Sequence, residues 1–212
     1  MAGDDGQAFS DIEQTLKRSA AALREADLPF LLGGSLASWA RGGPEPHHDL
    51  DIMVKPEDAE GALDLLEATG MRTERPPEGW LFKAWDGDVL VDLIFRPKGL
   101  EMNDEVLGRG EEIDVLAIRM PVMAVDDMLT TKLLALDEHS LSYSAPLQIA
   151  RALREQIDWN ALRRRTAASP YAKAFFVLVE ELGITPQAAG DEVSGRSRVR
   201  VLEPPRAATP GR

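Results

Sequence analysis

Two apolar segments of this chain carry carboxylates where a buried strand should have none. His48-Asp49-Leu50-Asp51-Ile52-Met53-Val54 alternates charge with aliphatic side chains, and Leu90-Val91-Asp92-Leu93-Ile94-Phe95 sets one aspartate into an otherwise apolar run. Strand side chains alternate between faces, so Asp49, Asp51 and Met53 share one face while Leu50, Ile52 and Val54 share the other. The first two carboxylates then stand about 7 Å apart along the strand. Strands of this kind fit a sheet with helices on its apolar face and a charged site on the other.

The rest of the chain supplies the other elements. Ser10-Asp11-Ile12-Glu13 has the form of a capping box, and Ile12, Leu16, Ala20 and Leu23 follow at helical spacing, predicting a helix from about Ser10 to Ala26. Phe30-Leu31-Leu32 reads as a short buried strand broken by Gly33-Gly34, with Ser35 capping a short helix to Ala40. The Gly/Pro-rich stretch from Arg41 to His48 is loop. Pro56 opens a helix to about Thr69. Asp86-Gly87-Asp88 joins the strands Leu81–Trp85 and Val89–Phe95 in a hairpin, and a further strand is expected over Ile113–Ile118.

From Val125 the pattern is helix alone, with Asp126 or Asp127 as the cap of a helix through Asp137. Further helices are expected near Ala145–Ile157, Asp158–Arg165 and Ser169–Leu182. The expected fold is therefore α+β: a mixed, mainly antiparallel sheet with flanking helices, followed by a C-terminal helical domain. The divisions are 1–124, 125–185 and a disordered tail over 186–212, where Gly, Pro, Ser and Arg replace apolar residues.

Composition narrows the field. With no cysteine among 212 residues there is neither a disulfide framework nor a thiolate metal site, which fits a reducing cytoplasm. No apolar run approaches the roughly 20 residues that span a bilayer, and no signal-peptide pattern opens the chain. A formal charge of −12 argues against non-specific binding to nucleic acid or an anionic membrane. Between Arg151 and Lys173, however, six cations face two anions, so a local basic face can exist. Its ordinary reading is a solvated helix surface.

Asp49, Asp51 and Asp92 are the candidate catalytic and metal-binding residues. A lone carboxylate within the apolar strand at Asp92 costs several kcal/mol unless a cation compensates it. That cation is either a metal or a nearby Arg or Lys. As a three-carboxylate site the set would hold two Mg²⁺ ions, with Mn²⁺ as a substitute, roughly 3.5–4 Å apart, clamping the attacking and leaving oxygens of a phosphoryl displacement. Asp92 could also take the proton of the attacking hydroxyl. Gly33 and Gly34 would let the backbone approach the phosphates of a nucleoside triphosphate, with Ser35 binding them at a helix start.

Lys132 lies in the row Met128, Lys132, Leu136; a lysine in an apolar row either snorkels to solvent or meets an anion, here the triphosphate. Arg163, Arg164 and Arg165 are the candidates for contact with an RNA acceptor. His47 and His48 adjoin the Asp pair, and Lys83 and Trp85 share one hairpin face; packing or exposure is the plainer reading of each.

The order Gly34-Ser35, thirteen residues, Asp49-Leu50-Asp51, then Asp92 resembles the polymerase-beta-like nucleotidyltransferase superfamily. Leu129-Thr130-Thr131-Lys132-Leu133-Leu134-Ala135-Leu136 resembles the lysine-bearing helix of the abortive-infection (AbiEii-like) group, although no arginine of that group's kind follows in Asp137-Glu138-His139. The resemblance covers about half the chain. It implies magnesium-dependent transfer of a nucleoside monophosphate from an NTP such as ATP to a hydroxyl. RNA, tRNA or protein is the favoured acceptor, with the chain as the toxin partner of an antitoxin. The alternatives are an aminoglycoside-type antibiotic nucleotidyltransferase and a non-catalytic nucleotide- or partner-binding module.

Overall fold

The structure, a computed structural model, describes residues 4–46 and 49–185. Its elements in chain order begin with α1 (Asp4–Glu25), β1 (Leu31–Leu32), α2 (Gly34–Ala40), β2 (Asp49–Met53), α3 (Ala59–Ala68) and β3 (Arg72–Glu74). The hairpin β4 (Leu81–Asp86) and β5 (Val89–Ile94) follows, then α4 (Asp104–Gly108), β6 (Glu111–Val115) and β7 (Ile118–Val122). The chain continues as α5 (Val125–Ala135), α6 (Ser144–Ala152), α7 (Trp159–Arg165) and α8 (Pro170–Glu181). His47, His48 and the expected tail over 186–212 lie outside the described residues.

The strands form one seven-stranded sheet in the order β3-β4-β5-β2-β1-β7-β6. The pairs β1–β7 and β2–β5 are parallel and the other four antiparallel, so the sheet is mixed and mainly antiparallel as expected. Helices α1 and α3 pack against β2, β5, β4 and β3. They cover the face that carries Leu50, Ile52, Val91 and Leu93, none more than 1 % exposed. Each such aliphatic side chain contributes about 1.5–3 kcal/mol by leaving water. The first helix presses Ile12, Leu16, Ala20 and Leu23 into this core. Across the interface, Asp86 of β4 accepts hydrogen bonds from Thr15 Oγ1 (3.0 Å) and Arg18 Nη1 (2.7 Å).

Several elements differ from the sequence expectation, each for a local reason. The first helix starts at Asp4, so Ser10 is internal to it and no capping box operates. The short helix begins two residues earlier than expected, with Gly33 rather than Ser35 at the N-cap. The helix after Pro56 opens as a 3-10 turn, Pro56–Asp58, before α3.

The strand expected over Ile113–Ile118 is two strands. A tight turn at Leu116-Ala117 joins them with both residues at positive φ (49° and 62°), a conformation usually marked by glycine or asparagine. In α5, Ala124 occupies the N-cap, and Asp126 and Asp127 lie in the first turn instead of capping it.

Helix α5 follows directly from β7 and packs on α6, α7 and α8. Two clamps hold this region to the sheet. The Arg41 side chain donates to the carbonyls of Met123 (2.9 Å) and Val122 (3.0 Å) and to Glu111 (3.1 Å). Asp127, fully buried, accepts two bonds from Arg109 (3.0 and 3.1 Å) and a third from Arg165. No helix among the described residues is long and apolar enough to cross a membrane.

Candidate active site

The parallel pairing of β2 with β5 sets Asp51 directly beside Asp92 and Asp49 beside Leu90. All face away from α1 and α3, as the alternation of buried and half-buried residues along both strands requires. The antiparallel hairpin then places Lys83 opposite Asp92, and its Nζ donates to Asp92 Oδ1 at 2.9 Å. Lys83 is thus one cation partner of Asp92. The pairing was legible in the hairpin itself, because counting outward from its two-residue turn, Gly87-Asp88, puts Lys83 across from Asp92.

Asp51 is the most constrained group of the site. Its main-chain carbonyl accepts from Gly33 N at 2.8 Å. Its carboxylate lies against Gly34, which has φ +65°; a Cβ there would fall 1.6 Å from Asp51 Oδ2. Gly34 is therefore glycine for two reasons, the left-handed backbone and the space the carboxylate fills. Burial, followed by the charges of Asp49 and Asp92, pushes the Asp51 carboxyl up to about 7, against the pull of Lys132 and Lys83. Three carboxylates thus act on one another electrostatically.

Beside Asp51 opens a cavity of about 640 Å³. Met53, Ile94, Met123 and Met128 give it an apolar lining, Lys132 enters from α5, and Arg96 and Lys98 lie on the segment after β5. That segment reaches α5 at Gly99, where a Cβ would stand 2.0 Å from Leu134 Cδ1. Lys132, Asp51 and Gly34 therefore line one cavity. Trp80, Arg96, Lys98 and Asp137 also line the cavity, and the sequence reading missed them. They lie in connecting segments without periodicity, and only folding of the segment after β5 onto α5 brings them together.

Of the remaining sequence candidates, Ser35 sits half-buried in the first turn of α2, next to Gly34. Trp85 is stacked under Arg72, whose Cζ lies 3.7 Å from the ring centre. The three arginines of α7 do not form one free basic surface. Arg163 pairs with Glu180 and lies over the Phe176 ring at 4.3 Å, and Arg165 is spent on buried Asp127.

Among the described residues, no three His, Asp or Glu side chains stand already grouped as a metal-binding set. The donor set nevertheless fits a hard divalent cation. It consists of oxygen ligands only, and one of them is pushed up to about 7 by burial and then by the charges of the other two.

Comparison with known proteins bears on the fold. No protein-family model matches the chain, and no curated protein matches by sequence. Among solved structures it is similar to ANT(2″)-Ia in complex with adenylyl-2″-tobramycin, with TM-score 0.57 and 17% identity over 77% of this chain and 98% of that one. The solution structure of the antibiotic-resistance factor ANT(2″)-Ia gives TM-score 0.57 and 17% identity over 81% and 96%. The lincomycin-bound lincosamide adenylyltransferase LnuA aligns at TM-score 0.46 and 14% identity over 68% and 97%.

Proposed function

On a fold shared with antibiotic adenylyltransferases, we propose that this chain transfers a nucleoside monophosphate from an NTP to a hydroxyl of a small molecule. The observation that carries the reading is the in-register pair Asp51–Asp92, flanked by Asp49 and opening onto a cavity entered by Lys132. A carboxyl pushed up to about 7 by burial and by two neighbouring carboxylates, packed into the space a Cβ on Gly34 would need, suits a site that gathers a cation.

Asp49, Asp51 and Asp92 would hold divalent cations, Mg²⁺ by the chemistry of the ligands, which supply charge neutralisation at the phosphates when bound. Gly33, Gly34 and Ser35 would meet the triphosphate from the start of α2, beside the Asp51 carboxylate. Lys132 sets an ammonium against the phosphates. Lys83 fixes Oδ1 of Asp92 and leaves Oδ2 to receive the proton of the acceptor hydroxyl. The acceptor oxygen bonds to the α-phosphorus, the bond from that phosphorus to the bridging oxygen breaks, and pyrophosphate leaves.

A small-molecule acceptor is favoured over RNA or protein for two reasons. The fold neighbour ANT(2″)-Ia is seen with adenylyl-2″-tobramycin. Of the three arginines that were candidates for RNA, Arg163 and Arg165 are engaged within the protein, which leaves Arg164 on the surface. A toxin role rests only on the resemblance of residues 129–136.

The test is release of labelled pyrophosphate from NTP with Mg²⁺, run on the native chain and Asp51→Asn across a library of hydroxyl compounds. Acceptor-dependent release by the native chain alone supports transfer. NTP binding without release under any acceptor would leave the non-catalytic module as the better account.

A further inference from the structure

We propose that Lys83 sets the acceptor class, selecting a hydroxyl compound that carries no cation beside its reacting hydroxyl and excluding polycations of the tobramycin kind. The inference rests on the nucleotidyl-transfer reading for the role of Asp92, and it divides the class of small acceptors that reading leaves open.

The argument is positional. Across the open face of the sheet, the register runs Asp51, Asp92, Lys83, Glu74 through β2, β5, β4 and β3. The cavity that suits the triphosphate touches Asp51 and its lining does not include Lys83. In an in-line displacement the acceptor enters opposite the leaving pyrophosphate, which puts it on the Lys83 side of Asp92. A hydroxyl that gives its proton to Asp92 must lie within about 3.2 Å of that carboxylate. The Lys83 ammonium is 2.9 Å from the same group, so the two are near neighbours.

The Lys83 side chain is 29% exposed and Asp92 16%, so their charges are only partly screened by water. The next row reinforces the sign. Opposite Leu90 stands Trp85, and Arg72 lies over its ring. An acceptor approaching over β4 therefore meets two cations and an indole. Of the acids on this face, Asp49 stands at the β2 end of the Trp85 row, across Leu90; Glu74 is 4.0 Å from Arg72, and Asp92 is held by Lys83 itself. An amine next to the reacting hydroxyl would be forced against Lys83; a neutral or anionic group would not.

Tobramycin serves as the polycation probe. Its dissociation constant is measured by calorimetry for the native chain, Lys83→Met and Lys83→Glu, with and without Mg²⁺ and a non-hydrolysable ATP analogue. Binding should tighten in that order, by about tenfold or more from native to Lys83→Glu, as removal and then reversal of a close charge demands. Equal or tighter binding of tobramycin by the native chain than by Lys83→Met overturns the proposal, as does adenylylation of tobramycin by the native chain. Lys83→Met adds no charge beside Asp92 and keeps the test valid where Lys83→Glu perturbs folding. Failure of the ATP analogue to bind sinks the nucleotidyl-transfer reading separately, because the comparison without nucleotide still reports on Lys83.

Discussion

The carboxylate of Asp51 occupies the volume that any side chain at position 34 would need: a Cβ on Gly34 falls 1.6 Å from Oδ2 and 2.6 Å from Cγ. Gly42 has a similarly positive φ of 94° but nothing within 4 Å of its Cβ position. The pair separates backbone strain from loss of space. Gly42→Ala should lower stability by about 1 kcal/mol. Gly34→Ala should do so by more, about 2–3 kcal/mol, because the carboxylate must leave its place. It should also reduce transfer by at least roughly 100-fold, since a shift of about 1 Å at a reacting centre suffices for that. Denaturant titration and turnover of both variants check this.

Asp51 makes the metal-free protein sensitive to pH in a stated direction. Its folded-state value of about 7 lies above its ordinary 3.8, so between these values the native state holds a proton that the unfolded chain has lost. Stability from this group is complete at low pH and declines as pH rises from about 4 to about 7. Denaturation in chelator at pH 5 and pH 8 should show the native chain losing stability over that interval relative to Asp51→Asn. If Asp51 holds Mg²⁺ as proposed, the same linkage should make the ion bind more tightly at pH 8 than at pH 5.

Asp127 and Arg165 form a structural pair. Removing the buried carboxylate by Asp127→Ala leaves the Arg109 and Arg165 guanidiniums, about one-third exposed, without their shared partner. The expected loss is about 3 kcal/mol, toward the lower end for breaking a buried pair because both arginines retain some water. Arg164→Ala, on the exposed part of α7, should stay within about 0.5 kcal/mol. Thermal unfolding of the two variants distinguishes the clamp from the surface.

Lys132→Met should leave the fold intact, since the side chain lines the cavity rather than the core. It should weaken binding of a triphosphate by about 10- to 100-fold, the scale of one charged contact with phosphate. Nucleotide binding measured by calorimetry, with the melting temperature as control, gives the answer. Unchanged affinity would remove Lys132 from the site.

Much of this was readable because charge interrupts strict periodicity. Asp49, Asp51 and Asp92 break apolar strands, and two-fold alternation fixes the face they share. Tertiary context hid the rest. Leu116 and Ala117 turn a hairpin without the residues that normally announce one, so β6 and β7 merged into a single expected strand. Asp127 looked like a helix cap, whereas its role depends on Arg109 and Arg165, 18 and 38 residues away. Trp80, Arg96 and Lys98 became neighbours of Lys132 only through the close approach of Gly99 to Leu134.

The two-residue strand β1 has a consequence for how the chain is made. Leu31 and Leu32 sit mid-sheet, pairing with β2 on one side and, through Leu32, with Val122 on the other. During synthesis the first neighbour emerges early and the second only after the whole β3–β6 region. Until Val122 arrives, one side of β1 is an unfinished edge able to pair with another copy of the chain. A truncation ending before Val122 should therefore aggregate, even though it contains all three aspartates.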